Sequence, residues 1–351
     1  MNSIKNIFGL TLFRSVTVAY AVLVSFFGLG QTTTESNSNS LSGQRETATL
    51  QETETQQSTK TSTTTMTFSD PVEGIWEFGL KVNCRGDAKG VVGYVPIPMD
   101  WPEQTVEIVA EEKTDRVGRI RKSNPTQFTS QFTFAINRIK AAEAECYIRF
   151  NIKKRMILAP KDTSGYVFAK RVPSKLRTFL KPSPYIESKH KRIKEIAKSL
   201  TDEKLSSWEQ VEKIYTWVRE NVEYEFDVQI HSCLDALDKK KGDCEELSSL
   251  FIAICRASGI PARAVWVPGH TYPEFYLEDK DRKGHWFPCQ VAGDYEFGSM
   301  SELKPILQKG DRFKMEGHAD YVRYLQATLI AKNLDGEVSI EPITRQVEAE
   351  K

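Results

Sequence analysis

GDCEELSSLFIAICRASGIPARAV, residues 242–265, decides how this chain is read. Gly242 permits a tight turn, and Asp243 can cap a helix by accepting from the backbone N–H of Glu246, whose own carboxylate can reach back to the cap. Leu247, Leu250, Phe251 and Ile254 follow at helical spacing, and Gly259-Ile260-Pro261 stops the helix. Cys244 therefore falls in the first turn, where the positive end of the helix dipole favours a thiolate. Asp243, Glu245 and Glu246 push the other way, so the thiol needs a cationic partner.

The next stretch supplies one. Arg263–Val267 reads as a buried strand, Pro268-Gly269 as a turn, and His270–Leu277 as a second strand. Alternation puts His270, Tyr272, Glu274 and Tyr276 on one face, and Pro273 suggests an edge or irregularity. After the polar turn 279–284 a third strand carries Trp286, Pro288 and Gln290 on one face, which could bring Gln290 beside His270. A thiol at a helix start, a histidine on a following strand and a polar side chain one strand later are the parts of a nucleophile, its base and an orienting group.

These residues carry a resemblance. G-D-C at a helix start, R-A-x-G-I-P-A-R, G-H-x-Y-x-E-x-Y and W-x-P, preceded by FLKPSPYIES and WEQVEKIYTWVRENVEYEFD, resemble the transglutaminase-like superfamily over 178–293. The resemblance implies a papain-like fold and a Cys-His-Asp triad, with Cys244 as nucleophile and His270 as base. At the third position WFPCQ places Gln290 where the family usually has Asp. An amide oxygen can still accept from the Nδ1–H of the ring, but it cannot stabilise an imidazolium by charge. Asp281 and Asp294 are acidic alternatives that do not fit the motif position.

Around this centre the chain divides into four parts. Residues 1–30 place Lys5 and Arg14 before an apolar run, the pattern of an export signal or membrane anchor. Residues 31–66 are a Ser/Thr/Gln-rich linker too polar to order itself. Residues 67–165 hold short β-rich runs and read as an antiparallel β-sandwich. Residues 175–345 form the transglutaminase-like domain, with helices over Tyr185–Leu200 and Ser207–Val222. In the second helix Trp208, Val211, Ile214, Tyr215, Val218 and Val222 make one apolar stripe, a core face.

The 351 residues, 40% hydrophobic and 27% charged, suffice for two cores. With 48 Lys+Arg against 47 Asp+Glu, charge gives no reason to expect nucleic acid as a partner. No close-spaced Cys/His pair points to a metal, and no cofactor is expected. His231, His285 and His318 read as surface residues, and Trp266, Tyr272 and Trp286 as candidates for an aromatic channel to the thiol. Six cysteines in an exported chain allow disulfides, with Cys84–Cys146 the pairing expected in the first domain.

The fold expected is α+β: a papain-like, transglutaminase-like domain preceded by an antiparallel β-sandwich. The function expected is an exported Cys244-His270-Gln290 acyl-transfer enzyme acting on a protein or peptide substrate, a protease, amidase or transamidase in the cell envelope or outside it. The alternative is a weak or inactive module of the same fold that binds proteins.

Overall fold

The computed structural model describes residues 66–315 and 319–348. The export segment, nearly all of the linker and His318 lie outside the described residues. Among the described residues no helix is long and apolar enough to cross a membrane.

The first unit is antiparallel, as expected, but its strands are longer than the sequence suggested. GIWEFGLKVNC and GVVGYVPIPM belong to one strand, β1 (Val72–Ile97). β2 (Gln104–Lys113) and β3 (Arg121–Thr126) follow. QFTFAINRI and ECYIRFNIKK likewise belong to β4 (Thr129–Lys154). β1 and β4 pair from Val72–Lys154 to Ile97–Ser130, with a register shift between Cys84 and Asp87. Phe78 and Leu80 from one half of β1 share a core with Val91 and Val95 from the other; Phe134 and Phe150 do the same for β4. The ribbon therefore curls around a single core, bending where the ladder is irregular. Near that bend Gly86 faces Gly336, and a Cβ on Gly86 would lie 2.0 Å from the Asp335 carbonyl oxygen.

The Cys84–Cys146 disulfide is corrected by this register. Cys84 lies opposite Ala142, and Cys146 lies opposite Leu80. Four residues of strand separate the two rungs, about 13 Å at the usual rise, against the ~7 Å that a disulfide spans. All six cysteines are free thiols.

The second unit begins with α1 (Lys191–Leu200), α2 (Ser207–Asn221) and α3 (Cys233–Lys239). They pack on α4 (Cys244–Ala257), which β5 (Ala262–Val267) and β6 (His270–Glu278) cover from the other side. This explains why α4 buries Ser248, Ser249, Ile252 and Ala253 as well as its predicted stripe. The predicted stripe of α2 is core: Trp208, Val211, Ile214, Tyr215, Val218 and the following Val222 are buried.

β7 (Gly284–Gln290) pairs with β6, and β8 (Gln308–Lys309) joins β5 to β4. One mixed-origin sheet thus runs from the site to the first unit. β9 (Thr328–Val347) returns to pair along β1 from Tyr94 to Ile75. Pro273 is not on an edge, because β6 lies between β5 and β7. The β6–β7 ladder stops at Glu274–Pro288, so the N–H that Pro273 lacks falls where that ladder has ended.

Candidate active site

The start of α4 is built as its residues dictate. Asp243 is the N-cap, its carboxylate accepting from Glu245 N at 2.7 Å, while Glu246 accepts from Asp243 N at 3.0 Å. Glu246 also accepts from His231 N at 2.7 Å, tying the loop before α3 to the helix start. Gly242 is required by this closure: a Cβ there would stand 2.7 Å from the Glu246 Cβ.

The capping box places two carboxyl groups in contact. Burial, then the hydrogen bond and charge of Glu246, push the Asp243 carboxyl far above its ordinary range. For Glu246 burial works upward too, but hydrogen bonds from the Asp243 side chain and from the His231 and Asp243 backbones outweigh it and hold this carboxyl down. Burial also raises Glu245, which Arg323 opposes as an ion-pair partner at 3.2 Å.

Cys244 is partly exposed at the first position of α4. Burial pushes its thiol up to about 12, and the charges of Asp243, Glu245 and Glu246 add to this. The backbone N–H of Thr271 works the other way, so the sulfur lies beside the residue that follows His270. Ser248 Oγ adds a 3.5 Å contact to the Thr271 carbonyl, holding the first turns of α4 against the start of β6.

His270 opens β6, partly buried, opposite Val267. Its pKa is lowered, first by burial and also by Lys304, while Glu302 and the Gln290 hydrogen bond resist. Gln290 closes β7 and puts its Nε2 3.0 Å from His270 Nε2. The contact is therefore at Nε2, not at the Nδ1 anticipated from sequence, and it leaves Nδ1 uncommitted to Gln290. The other amide atom, Gln290 Oε1, is buried without a partner. No hydrogen bond joins the Cys244 sulfur to the His270 ring among the described residues.

Two residues of α2 fix Gln290 from behind. Tyr215 Oη and Arg219 Nη1 both donate to its carbonyl, at 3.0 and 2.9 Å, and Arg219 Nη2 donates to Gly293 O at 2.8 Å. The sequence marked Tyr215 only as core and gave Arg219 no role.

The aromatic channel does not assemble. Trp266 packs with Tyr324 and donates to Gly310 O on the helix-covered side of the sheet. Trp286 packs with Phe179 and Tyr276 at the far end of β6, under Arg263. Only Tyr272 neighbours His270, with ring centroids 6.4 Å apart, and it is fully buried with its hydroxyl unpartnered. His285 is likewise not a surface residue: it is buried against Tyr166 and sits 2.8 Å from Asp279. His231 is partly buried and contacts Asp227 at 2.9 Å.

A cleft of about 510 Å³ lies elsewhere, between the Pro125–Phe128 turn, Phe179 and residues 310–313, and none of the candidate catalytic residues lines it. Exposed apolar side chains lie on a different segment, which meets the start of α4 at Tyr224. Tyr224 pairs opposite Gly242 and starts an alternating run with Phe226, Val228 and Ile230, all exposed.

The model of the Transglutaminase-like superfamily matches residues 194–291, a span that contains Cys244, His270 and Gln290. A protein of Haemophilus influenzae, described only as uncharacterized, is 24% identical over 190 residues, covering 49% of this chain and 48% of its own. The chain thus spans about half the length of that relative. A proposed cysteine protease from Cytophaga hutchinsonii has a similar structure, with TM-score 0.56 and 15% identity over 82% of this chain and 94% of its own. That likeness is one of fold. The periplasmic domain of TgpA from Pseudomonas aeruginosa aligns at TM-score 0.27 and 13% identity, over 60% of this chain and 88% of that one. Residues 194–291 are a transglutaminase-like superfamily domain.

Proposed function

We propose that this chain is a cysteine-dependent acyl-transfer enzyme for peptide or glutamine-type amides, with Cys244 as nucleophile, His270 as base and Gln290 as the group that orients His270. The observation that carries the reading is the 3.0 Å contact between Gln290 and His270 Nε2, made beside a cysteine on a helix N-terminus. For His270 to act as base, the Gln290 amide is turned over from the orientation in which its Nε2 faces the ring, so that its unpartnered oxygen accepts from Nε2–H and Nδ1 takes the proton from Cys244. The raised thiol and lowered imidazole favour a neutral resting pair, so proton transfer accompanies attack instead of preceding it.

In the reaction the sulfur bonds to the amide carbonyl carbon, and the carbonyl electrons move to oxygen. The backbone N–H of Cys244, in the first helical turn, is one donor for that oxyanion. The intermediate collapses by breaking the C–N bond, and the leaving amine or ammonia takes the proton from His270. Water or an amine then attacks the thioester carbonyl, His270 accepts its proton, and the thiol is regenerated. The exposed run that starts at Tyr224, opposite Gly242, and continues through Phe226, Val228 and Ile230 suits a polypeptide acyl donor with apolar side chains. The basic-then-apolar pattern of residues 1–30 supports export to the envelope or beyond.

The test is intact-mass analysis after incubation with an electrophilic glutamine-peptide probe. One adduct on the wild type and none on Cys244→Ala is the expected result. The second reading, a module that binds proteins without turnover, is favoured by the neutral third residue and the raised thiol. An unlabelled wild type that still binds polypeptide would select it.

A further inference from the structure

We propose that Glu302 is a positioning residue for His270, supplying across the face of the sheet the negative charge that the neutral Gln290 cannot. The inference rests on the assignment of His270 as the base for Cys244.

The segment carrying Glu302 is pinned at both ends. Met300 exchanges backbone hydrogen bonds with Ile157, at 2.9 and 3.0 Å. Ile306 N donates to Gln104 Oε1 at 2.6 Å, and Gln104 Nε2 donates back to Ile306 O at 3.0 Å. The side chains of Met300 and Ile306 bury together with Val265, Val267 and Tyr272. Val267 is the cross-strand partner of His270, and Tyr272 shares its face. Glu302 is thus held over the side of the sheet from which His270 projects. Its carboxylate is 19% exposed and shielded enough for its charge to be felt at a distance.

The groups around the ring separate by sign. Glu302 favours the imidazolium, and Lys304 from the same segment opposes it. β7 contributes the neutral Gln290, and β6 contributes Tyr272, whose buried phenol is held neutral. The start of α4 contributes Cys244, with Asp243 and Glu246 behind it. Glu302 also accepts from Lys304 N at 2.9 Å, and its carboxylate lies 3.7 Å from Lys304 Nζ. That partly solvated pair is too weak to account for the placement of the segment. The charge that a family Asp would deliver from the end of β7 arrives from a different part of the chain.

The test is the His270 titration, read by NMR on ¹³C-histidine-labelled protein, with the pH profile of Cys244 alkylation by iodoacetamide alongside. Glu302→Gln should move the His270 midpoint to lower pH and slow alkylation roughly threefold on the neutral limb, the effect of about half a pKa unit. Glu302→Asp should restore part of both. Lys304→Gln should move both in the opposite direction, which keeps the test decisive if one variant folds poorly. A wild-type His270 midpoint in Glu302→Gln and in Lys304→Gln overturns the proposal. Should His270→Ala leave the alkylation profile unchanged, the catalytic assignment fails instead, and the NMR midpoint still reads whether Glu302 acts on the ring.

Discussion

Gln290 meets His270 across the open end of a strand ladder. The β6–β7 pairing stops at Glu274–Pro288, and beyond it the two side chains converge to 3.0 Å. Pro273 lacks the ladder donor there, which leaves that end of the sheet to side-chain contacts, while Pro288 turns its backbone the other way and accepts from Gly298 N. The Gln290 backbone is held from the opposite side by Tyr215 and Arg219. The orienting residue is therefore fixed at both its main chain and its amide.

Substitutions at Gln290 should separate orientation from charge. Gln290→Ala should lower the acylation rate about tenfold without abolishing it, because the His270 ring loses its Nε2 partner. Gln290→Asp should raise the His270 midpoint, since a carboxylate at that position favours the imidazolium. Single-turnover acylation and histidine NMR measure the two effects. Equal rates for wild type and Gln290→Ala would remove Gln290 from the site.

The carboxyl pair at the α4 cap gives a pH dependence of stability with a defined sign. Asp243 has its folded pKa raised, toward about 8. It keeps a proton in the folded state that the unfolded chain has released, so this group's contribution to stability falls as pH rises through that window. Asp243→Asn retains an oxygen for Glu245 N and removes the titration. Its stability relative to wild type should therefore increase from about pH 4 toward neutrality and above. Denaturant midpoints across that range check it, and a constant difference would contradict the shared proton.

Arg256, the first arginine of R-A-x-G-I-P-A-R, has a structural task. It pairs with Asp311 at 2.6 Å with both side chains nearly fully buried, and it donates to the carbonyls of Ala262 and Lys181. Arg256→Met should cost about 3–5 kcal/mol because it strands the Asp311 carboxylate. Arg256→Met combined with Asp311→Leu should recover part of that loss. Urea unfolding of both variants measures the difference, and equal destabilisation would show that the pair is not coupled.

What the sequence made legible was local. The Asp243–Glu246 box and the start of α4 at Cys244 follow from spacing within a few residues, and the shared face of His270 with Gln290 follows from alternation along two strands joined by a short turn; the structure has all three. The length of β1 and β4 was not legible, because Arg85–Gly90 has the composition of a turn and Lys140–Glu143 consists of residues that disfavour strands, yet both lie at a bend within paired strands. Parity could have placed His285: it is opposite Leu277, on the face that α4 covers. Glu302, Arg323 and Arg219 were not legible because their contacts depend on segments brought together by the fold. Arg323, for example, reaches back to Glu245 across 78 residues of chain. No local period encodes such contacts.

The central claim is that His270 takes the proton from Cys244 during attack on an amide. Its most direct test is the rate of Cys244 adduct formation with the electrophilic glutamine-peptide probe at neutral pH, in wild type and His270→Ala. The account predicts a loss of about 100-fold or more in His270→Ala, the usual contribution of a positioned base, with the adduct still confined to Cys244. Labelling of His270→Ala at the wild-type rate would contradict it.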